Sequence, residues 1–125
     1  MRRMHICEER GIGWDRIALN CELYHLPTPR IDVYTDSTKI TLFSHCEFRD
    51  IPITEKKWAC YMHACLKQVR GEQMTNASLR ERFGVPERNK ALISRLITSA
   101  MEDKLIKLLD PETAPRYYRY VPFWA

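Results

Sequence analysis

Residues 75 to 86 read Thr-Asn-Ala-Ser-Leu-Arg-Glu-Arg-Phe-Gly-Val-Pro and carry the signals of a short helix followed by a tight turn. Thr75 or Asn76 can cap the helix, because a side-chain oxygen at this position accepts a hydrogen bond from an unpaired backbone N–H. Leu79 and Phe83 are four residues apart and therefore share one face. Gly84 can adopt the left-handed conformation that commonly ends a helix. The stretch predicts a short helix that buries Leu79 and Phe83.

A further helix is predicted at about residues 87 to 103. Pro86 stands near its start, where the missing N–H of proline costs least. Its periodicity predicts a core-facing side made of Leu92, Ile93, Leu96, Ile97 and Ala100. The opposite side, left for solvent or a ligand, consists of Arg88, Lys90, Ser94, Arg95 and Thr98.

The elements on either side of these two helices complete a recognisable order. A helix is predicted at about 54 to 70, with Thr54 as a candidate N-cap. One face of it carries Trp58, Met62, Cys65, Leu66 and Val69. After the last helix, residues 105–109 and 116–121 alternate as two strands joined by a loop with two prolines. Three helices followed by a hairpin predict a winged helix-turn-helix over residues 54–125.

The first part of the chain, residues 1–53, has a different pattern. A helix is predicted at about 12 to 25, and it must stop before Pro27 and Pro29 because proline cannot continue a helical hydrogen-bond ladder. Residues 30–34 and 39–43 alternate as two strands of a β-hairpin, and residues 44–53 connect it to the next helix. The predicted fold class is therefore α+β, with a helix and hairpin segment before the winged helix-turn-helix.

Charge is distributed unevenly along the chain. Residues 1–53 contain seven Lys or Arg and eight Asp or Glu, whereas residues 54–125 contain thirteen and eight. The net charge of +4 thus comes from a balance of −1 in the first part and +5 in the second. An excess of positive charge favours contact with nucleic-acid phosphates. The excess here is modest, and many domains with a neutral surface carry a similar net charge.

Duplex DNA is the partner that these features favour. In a winged helix-turn-helix, the second helix of the motif enters the major groove, which here would present Arg88, Lys90 and Arg95 to bases or phosphates. Ser94 and Thr98 share that side. Two arginines of the predicted hairpin, Arg116 and Arg119, could contact the phosphate backbone. The alternatives are that these charges form an ordinary solvated face, or that the module binds protein partners or a second copy of itself.

Other classes of function find little support. Cys60, His63 and Cys65 lie close in sequence, but Cys65 falls on a different helix face from the other two, so no metal site is expected. Gly11-Ile-Gly13 lacks the strand, third glycine and Lys-Ser/Thr pair of a nucleotide loop. No catalytic motif is present, so no enzymatic activity is expected in this chain alone.

The location predicted for the protein is cytoplasmic. The N-terminus lacks the apolar core of a signal peptide, and no apolar run is long enough to span a bilayer. The five cysteines are odd in number and irregularly spaced, which predicts reduced thiols rather than a disulfide framework.

The stretch from Ile6 to Ile17, Ile-Cys-Glu-Glu-Arg-Gly-Ile-Gly-Trp-Asp-Arg-Ile, together with Tyr24-His-Leu-Pro-Thr-Pro-Arg30 and the hairpin, resembles the C-terminal region of bacterial RecG-related proteins. That family is described as ATP-dependent DNA helicases or transcriptional regulators. Its members often carry a Schlafen-type AlbA domain, an ATPase-like segment and a winged helix. The resemblance covers nearly the whole chain, and its most specific part is Glu9-Arg-Gly-Ile-Gly13.

The resemblance implies that the chain is a fragment that opens within the ATPase-like segment. Mg-ATP would then be a cofactor of the full-length parent, and no cofactor is expected in this chain. A truncated segment could also leave Ile6, Ile12, Trp14 and Ile17 exposed and drive self-association into a homo-oligomer.

Overall fold

The structure, a computed structural model, describes residues 13–125 and has an α+β fold with four α-helices and two small antiparallel sheets. The elements in chain order are α1 (Gly13–Leu23), β1 (Arg30–Val33), β2 (Thr38–Thr41), α2 (Ile53–Val69), α3 (Asn76–Phe83), α4 (Lys90–Glu102), β3 (Ile106–Leu108) and β4 (Tyr120–Pro122). None of the helices in this part of the chain is both long and apolar enough to cross a membrane.

The predicted helix and hairpin of the first part are confirmed, with shorter bounds. α1 ends at Leu23, two residues earlier than predicted, and the chain then turns through His25 at a positive φ of 55°. β1 pairs with β2 in the register Arg30↔Thr41 to Val33↔Thr38. An ion pair of 2.8 Å between Arg30 and Glu55 links β1 to α2.

Helix α2 packs through small side chains, not through its large ones. Its fully buried residues are Ala59, Cys60, His63 and Ala64. Trp58 and Val69, on the apolar face identified in the sequence, are exposed. Small side chains allow α4 and β4 to approach the helix closely. The expected N-cap was wrong, because Pro52 occupies that position without a side-chain bond and Thr54 lies inside the first turn.

Helix α3 follows the prediction from residues 75–86 closely. Thr75 is the N-cap and forms a capping box with Ser78, in which each side chain accepts the other residue's backbone N–H. Leu79 and Phe83 are buried. Gly84 ends the helix at φ 65°, a conformation in which a residue with a Cβ is strained.

Helix α4 begins later than predicted, because a short 3₁₀ turn occupies Glu87–Asn89. The helix buries Ile93, Leu96, Ile97 and Ala100, as expected. The prediction that Leu92 faces the core was wrong: its side chain is 43% exposed. The buried residues 93, 96, 97 and 100 cover about 100° of the helix circumference, and Leu92 lies at the edge of this face, about 90° from its centre, which leaves it partly exposed.

The C-terminal hairpin is shorter than its sequence pattern indicated. β3 pairs with β4 in the register Ile106↔Pro122 to Leu108↔Tyr120. Met74, before α3, forms an isolated antiparallel β-bridge with Tyr120, on the side of β4 away from β3. Arg116 was expected in a strand but lies in a 3₁₀ turn, Pro115–Tyr117, and Arg119 immediately precedes β4.

One apolar core is built mainly by the second part of the chain. Its buried members are Ile51, Ala59, Cys60, Ala64, Met74, Leu79, Phe83, Ile93, Leu96, Ile97, Ala100, Ile106 and Tyr120. Cys46 and Phe48, in the segment that connects the first hairpin to α2, pack against it. The core fixes α4 by one side only and leaves the other side in solvent.

Candidate functional site

The solvent side of α4 is the most basic exposed helix face that the sequence singled out. Arg88, in the 3₁₀ turn before the helix, and Lys90, Ser94, Arg95 and Thr98, in the helix itself, are all exposed. Within residues 13–125, Arg88, Lys90 and Arg95 form no ion pair. Their charges are therefore available to a ligand. The opposite side of the helix is anchored in the core, which holds this face in a fixed orientation.

The two hydroxyl residues of this face are already engaged within the protein. Ser94 Oγ donates to the backbone oxygen of Lys90 at 3.2 Å, and Thr98 Oγ1 donates to that of Ser94 at 3.0 Å. Such bonds to the preceding turn are common for these residues in helices. Ser94 and Thr98 are thus less available for a ligand than the three cationic residues.

Asn76 is a contact of this face that the sequence analysis missed. Its Nδ2 donates to Ser94 Oγ at 3.0 Å and lies 3.4 Å from the backbone oxygen of Lys90. Its Oδ1 accepts a bond of 3.0 Å from Arg80 Nε. The sequence contained one signal for this contact: Thr75 and Asn76 are adjacent and either can cap a helix. Because α3 needs only one cap, the side chain of the other residue is free to contact α4.

The loop between β3 and β4 carries Arg116 and Arg119, both exposed. The Arg116 guanidinium lies over the Tyr117 ring, 4.7 Å from its centroid. The same loop carries negative charge: Asp110 accepts bonds from the Thr113 hydroxyl and a backbone N–H, which lower the pKa of its carboxyl. The loop is consequently mixed in charge, unlike the face of α4.

A second polar cluster, buried between α1, α2 and α3, was also missed. The Glu22 carboxylate accepts a bond from Arg82 Nε at 2.9 Å and contacts His63 Nδ1 with its other oxygen. Arg82 Nη2 donates to the backbone oxygen of Leu26 at 2.6 Å, and His25 Nδ1 donates to that of Arg82 at 2.8 Å. Arg82 and His63 are only 4% and 5% exposed, so the acid of α1 balances charge inside the fold.

No signal in the sequence separated these buried charges from surface ones. Arg82 stands between the predicted core residues Leu79 and Phe83, where an arginine would ordinarily face solvent. His63 was considered only as a metal ligand with Cys60 and Cys65. In the described part of the chain, no three His, Cys, Asp or Glu residues are grouped so that they could hold a metal ion.

The cysteines that the structure describes are Cys21, Cys46, Cys60 and Cys65, and all four are free thiols. Cys60 is fully buried, and burial raises the pKa of its thiol to about 12. Burial also raises the pKa values of the Cys21 and Cys65 thiols. These thiols are protonated at neutral pH, which is the unreactive form of cysteine.

The Gly11-Ile-Gly13 motif, a poor match to a nucleotide-binding loop, lies largely outside the described residues. Gly11 is one of the residues that the structure does not describe, and Gly13 is the first residue of α1. Ile6 and Ile12, suggested as part of a self-association surface, also lie outside the described range. Trp14 and Ile17 are half-buried.

An exposed aromatic surface lies on α2 and the C-terminus. Trp58 and Tyr61 have ring centroids 5.3 Å apart, and the Tyr61 and Phe123 rings stack at 6.1 Å. Trp58, Phe123 and Trp124 are each between 44% and 55% exposed. Exposed aromatic residues of this size are frequent in protein interfaces.

Comparisons of the chain with protein-family models, with curated proteins and with solved structures found no match.

Proposed function

We propose that this chain binds duplex DNA as a winged helix-turn-helix module, with α4 in the major groove. The observation that carries the proposal is the solvent face of α4 and of the turn before it, where Arg88, Lys90 and Arg95 are exposed and have no ion-pair partner among residues 13–125, while the other side of the helix is buried. A recognition helix needs this combination, because the buried side fixes its orientation and the exposed side contacts the nucleic acid.

The arrangement of elements supports the winged-helix interpretation. α2, α3 and α4 pack against one another and are followed by the antiparallel pair β3 and β4. The Met74–Tyr120 bridge adds a short strand position before α3 to this pair. A winged helix places such a sheet beside its recognition helix, and the loop between β3 and β4 would be its wing.

Each cationic group has an expected role. Arg88 and Lys90 stand at the N-terminal end of α4, the end from which recognition helices usually contact base edges. Arg95 lies farther along the exposed face, and we assign it to phosphate contact. Arg116 and Arg119 would contact the backbone beside the helix, where they position the protein without reading sequence.

A transcriptional regulator or DNA helicase of the RecG-related type remains the proposed parent of this module. Under that proposal, this chain supplies DNA contact, and any Mg-ATP chemistry belongs to the parent. Titration of Mg-ATP into this chain should give no binding signal. Binding that disappears on replacement of Gly13 would contradict that assignment.

The first test is fluorescence anisotropy of a labelled mixed-sequence duplex over a salt series. We expect affinity that falls steeply with salt, because binding releases counterions from the phosphates. Arg95→Ala should weaken binding and reduce the slope of log K against log salt by about 1, as expected for one lost phosphate contact.

The matched control is Arg70→Ala, which removes an exposed positive charge at the end of α2. It should leave the salt slope unchanged. No binding by the wild-type chain even at low salt would overturn the proposed function. Equal effects of the two substitutions would show that only the net charge matters and that α4 is not the contact.

The aromatic surface of Trp58, Tyr61, Phe123 and Trp124 favours a second candidate, a protein-interaction or oligomerisation module. Aromatic side chains dominate the energetics of many interfaces. Sedimentation at several salt concentrations distinguishes the two candidates. A dimer that persists at high salt and dissociates on Trp58→Ala would favour the interaction module, whereas a monomer that binds DNA would favour the first.

A further inference from the structure

A chain of hydrogen bonds at the junction of α1, α2 and α3 has no part in the proposed DNA contact. It starts at the Glu22 carboxylate on α1, passes through the buried imidazole of His63 on α2, and reaches the Ser78 hydroxyl on α3. Ser78 belongs to the capping box at the start of α3. The chain therefore connects the first segment of the protein to the N-terminus of α3.

The number of hydrogens in this chain limits which ring nitrogens of His63 can donate. Ser78 Oγ lies 3.1 Å from His63 Nε2, 3.0 Å from the Thr75 backbone nitrogen and 3.0 Å from the Thr75 backbone oxygen. One hydrogen must lie between Nδ1 and Glu22, donated by the ring if Glu22 is a carboxylate and by Glu22 if its carboxyl is protonated. The single Ser78 hydrogen can go to the Thr75 oxygen only if Nε2 also carries a hydrogen. All of these bonds form together only when His63 Nε2 carries a hydrogen and a second hydrogen lies between Nδ1 and Glu22.

Loss of one proton from His63 removes one of these bonds. With Nδ1–H still donated to Glu22, Nε2 becomes an acceptor, and the Ser78 hydroxyl must rotate towards it. The Thr75 oxygen then keeps only its bond from the Leu79 N–H, 3.0 Å long. The cap of α3 thus has two hydrogen-bond arrangements, and the proton on His63 selects between them.

The cap is connected directly to the exposed face of α4. Thr75 precedes Asn76, whose side-chain amide donates to Ser94 Oγ at 3.0 Å. Asn76 also lies 3.4 Å from the backbone oxygen of Lys90, at the start of α4. A rearrangement of the cap therefore reaches the helix that carries Lys90 and Arg95 through contacts between neighbouring residues.

Charged groups surround His63 on each packed element. Glu22 faces it from α1, and His25 lines the same cleft from the turn after α1. Lys67 and Arg70 line the cleft from the C-terminal end of α2, and Glu81 and Arg82 line it from α3. Lys67 is paired with Glu72, and Arg82 shares Glu22 with His63. The cleft has a volume of about 370 Å³ and is open to solvent, which gives protons a route to this buried cluster.

We propose that His63 is the sensor of a proton-operated switch that changes the cap of α3 and, through Asn76, the exposed face of α4. Histidine suits this role because its charge ordinarily changes between about pH 5 and pH 8. The effect on DNA rests on the proposed function, while the coupling from His63 to Asn76 does not. Protonation completes the hydrogen-bond chain and should favour the arrangement of α4 that is described above.

The coupling is tested without DNA by NMR of the ¹⁵N-labelled protein from about pH 5 to about pH 8. The His63 ring nitrogens should change from imidazolium to neutral, and the Asn76 side-chain amide signals should shift with the same midpoint. His63→Gln should abolish this shift. His45→Gln, which removes an exposed histidine outside the chain of bonds, should preserve it. The switch would be overturned if the Asn76 amide signals do not shift as His63 titrates, or if the His63 ring nitrogens show no change over this pH range.

Ser78→Ala provides a second variant if His63→Gln fails to fold. It keeps His63, Glu22 and Arg82 and removes only the hydroxyl that joins the imidazole to the cap. His63 should still titrate in this variant, but the Asn76 signals should no longer follow it. An Asn76 response equal to that of the wild type would contradict the proposed route.

DNA affinity is the final readout. For the wild type, DNA affinity should be about fivefold higher near pH 5 than near pH 8, which is the effect expected for one net hydrogen bond. This ratio is measured relative to any pH-dependent change in affinity that His63→Gln also shows. Equal pH dependence in the two proteins would overturn the switch and leave the proposed function intact. NMR coupling without DNA binding at any pH would overturn the proposed function and leave the switch intact.

Discussion

Two charged regions of this protein use the same residue types in opposite ways. On α4 and the turn before it, Arg88, Lys90 and Arg95 are exposed and have no acidic partner among the described residues. At the junction of α1, α2 and α3, Arg82 and His63 are buried and share the carboxylate of Glu22. A buried charge without a partner is costly, whereas an exposed charge costs little and is available to a ligand.

The comparison teaches that the position of a charge, more than its presence, decides its role. Removing a buried partner leaves the other group unbalanced inside the protein and should lower stability. Removing an exposed charge should leave the fold unchanged and affect only binding. Each prediction below tests one side of this comparison.

The largest effect is expected for Arg82→Ala. It would leave Glu22 without its guanidinium and the Leu26 oxygen without its donor, at a cost of about 3 kcal/mol in the free energy of unfolding. Urea denaturation monitored by circular dichroism measures this change. Arg95→Ala is the control, with an expected change within about 0.5 kcal/mol. Similar losses in the two variants would break the comparison.

The adjacent residues Leu92 and Ile93 sharpen the contrast between the two sides of α4. Ile93 is fully buried and Leu92 is 43% exposed. Ile93→Ala should therefore lower the free energy of unfolding by about 3 kcal/mol through lost burial and a new cavity. Leu92→Ala, with the same kind of truncation, should cost well under half of that. An equal loss would mean that α4 is rotated about its axis relative to the core.

Alkaline pH tests the burial of Cys60. The pKa of its thiol is raised from 9.0 to about 12 in the folded protein. Above pH 9.0 the unfolded chain loses this proton more readily, so stability should fall between pH 9.0 and about 12. The slope contributed by Cys60 approaches about 1.4 kcal/mol per pH unit. Cys60→Ala should have a smaller slope, and an identical slope would show that the thiol is hydrated.

The smallest effect is expected at the cap of α3. Thr75→Ala removes the side-chain acceptor for the Ser78 N–H and should cost about 1 kcal/mol of stability. Thr75→Ser keeps the hydroxyl and serves as the control. Thermal unfolding of the three proteins measures the difference. If Thr75→Ala is as stable as the control, the capping box contributes nothing.

Local patterns in the sequence predicted the elements well where neighbouring residues decide the conformation. The left-handed Gly84 and the buried pair Leu79 and Phe83 were confirmed, and of the two predicted cap candidates, Thr75 and Asn76, Thr75 is the cap. Each of these features depends on contacts within one helix turn. The helix and hairpin of the first part were confirmed for the same reason. The Thr54 cap was wrong, because the N-cap of α2 is Pro52, two residues earlier.

Burial was predicted less well, since it depends on which neighbour packs against a helix. The large residues Trp58 and Val69 suggested one face of α2, but α4 and β4 pack against Ala59, Cys60 and Ala64. Leu92 was assigned to the core from the apolar periodicity of the helix, which does not locate the edge of the buried face. The exposure of Arg88, Lys90, Ser94, Arg95, Thr98, Arg116 and Arg119 agrees with their selection from the sequence, while their contact with DNA stays a prediction.

The sequence by itself determined the order of helices and strands, the caps and turn that shape α3, and the basic side of α4, because periodicity and local hydrogen bonding are properties of short segments. Only the tertiary structure decided that Glu22 meets His63 and Arg82, and that Asn76 contacts Ser94. Glu22 and Arg82 are 60 residues apart in the chain. Residues so distant in sequence meet only when α1, α2 and α3 pack together, and no local pattern encodes that contact.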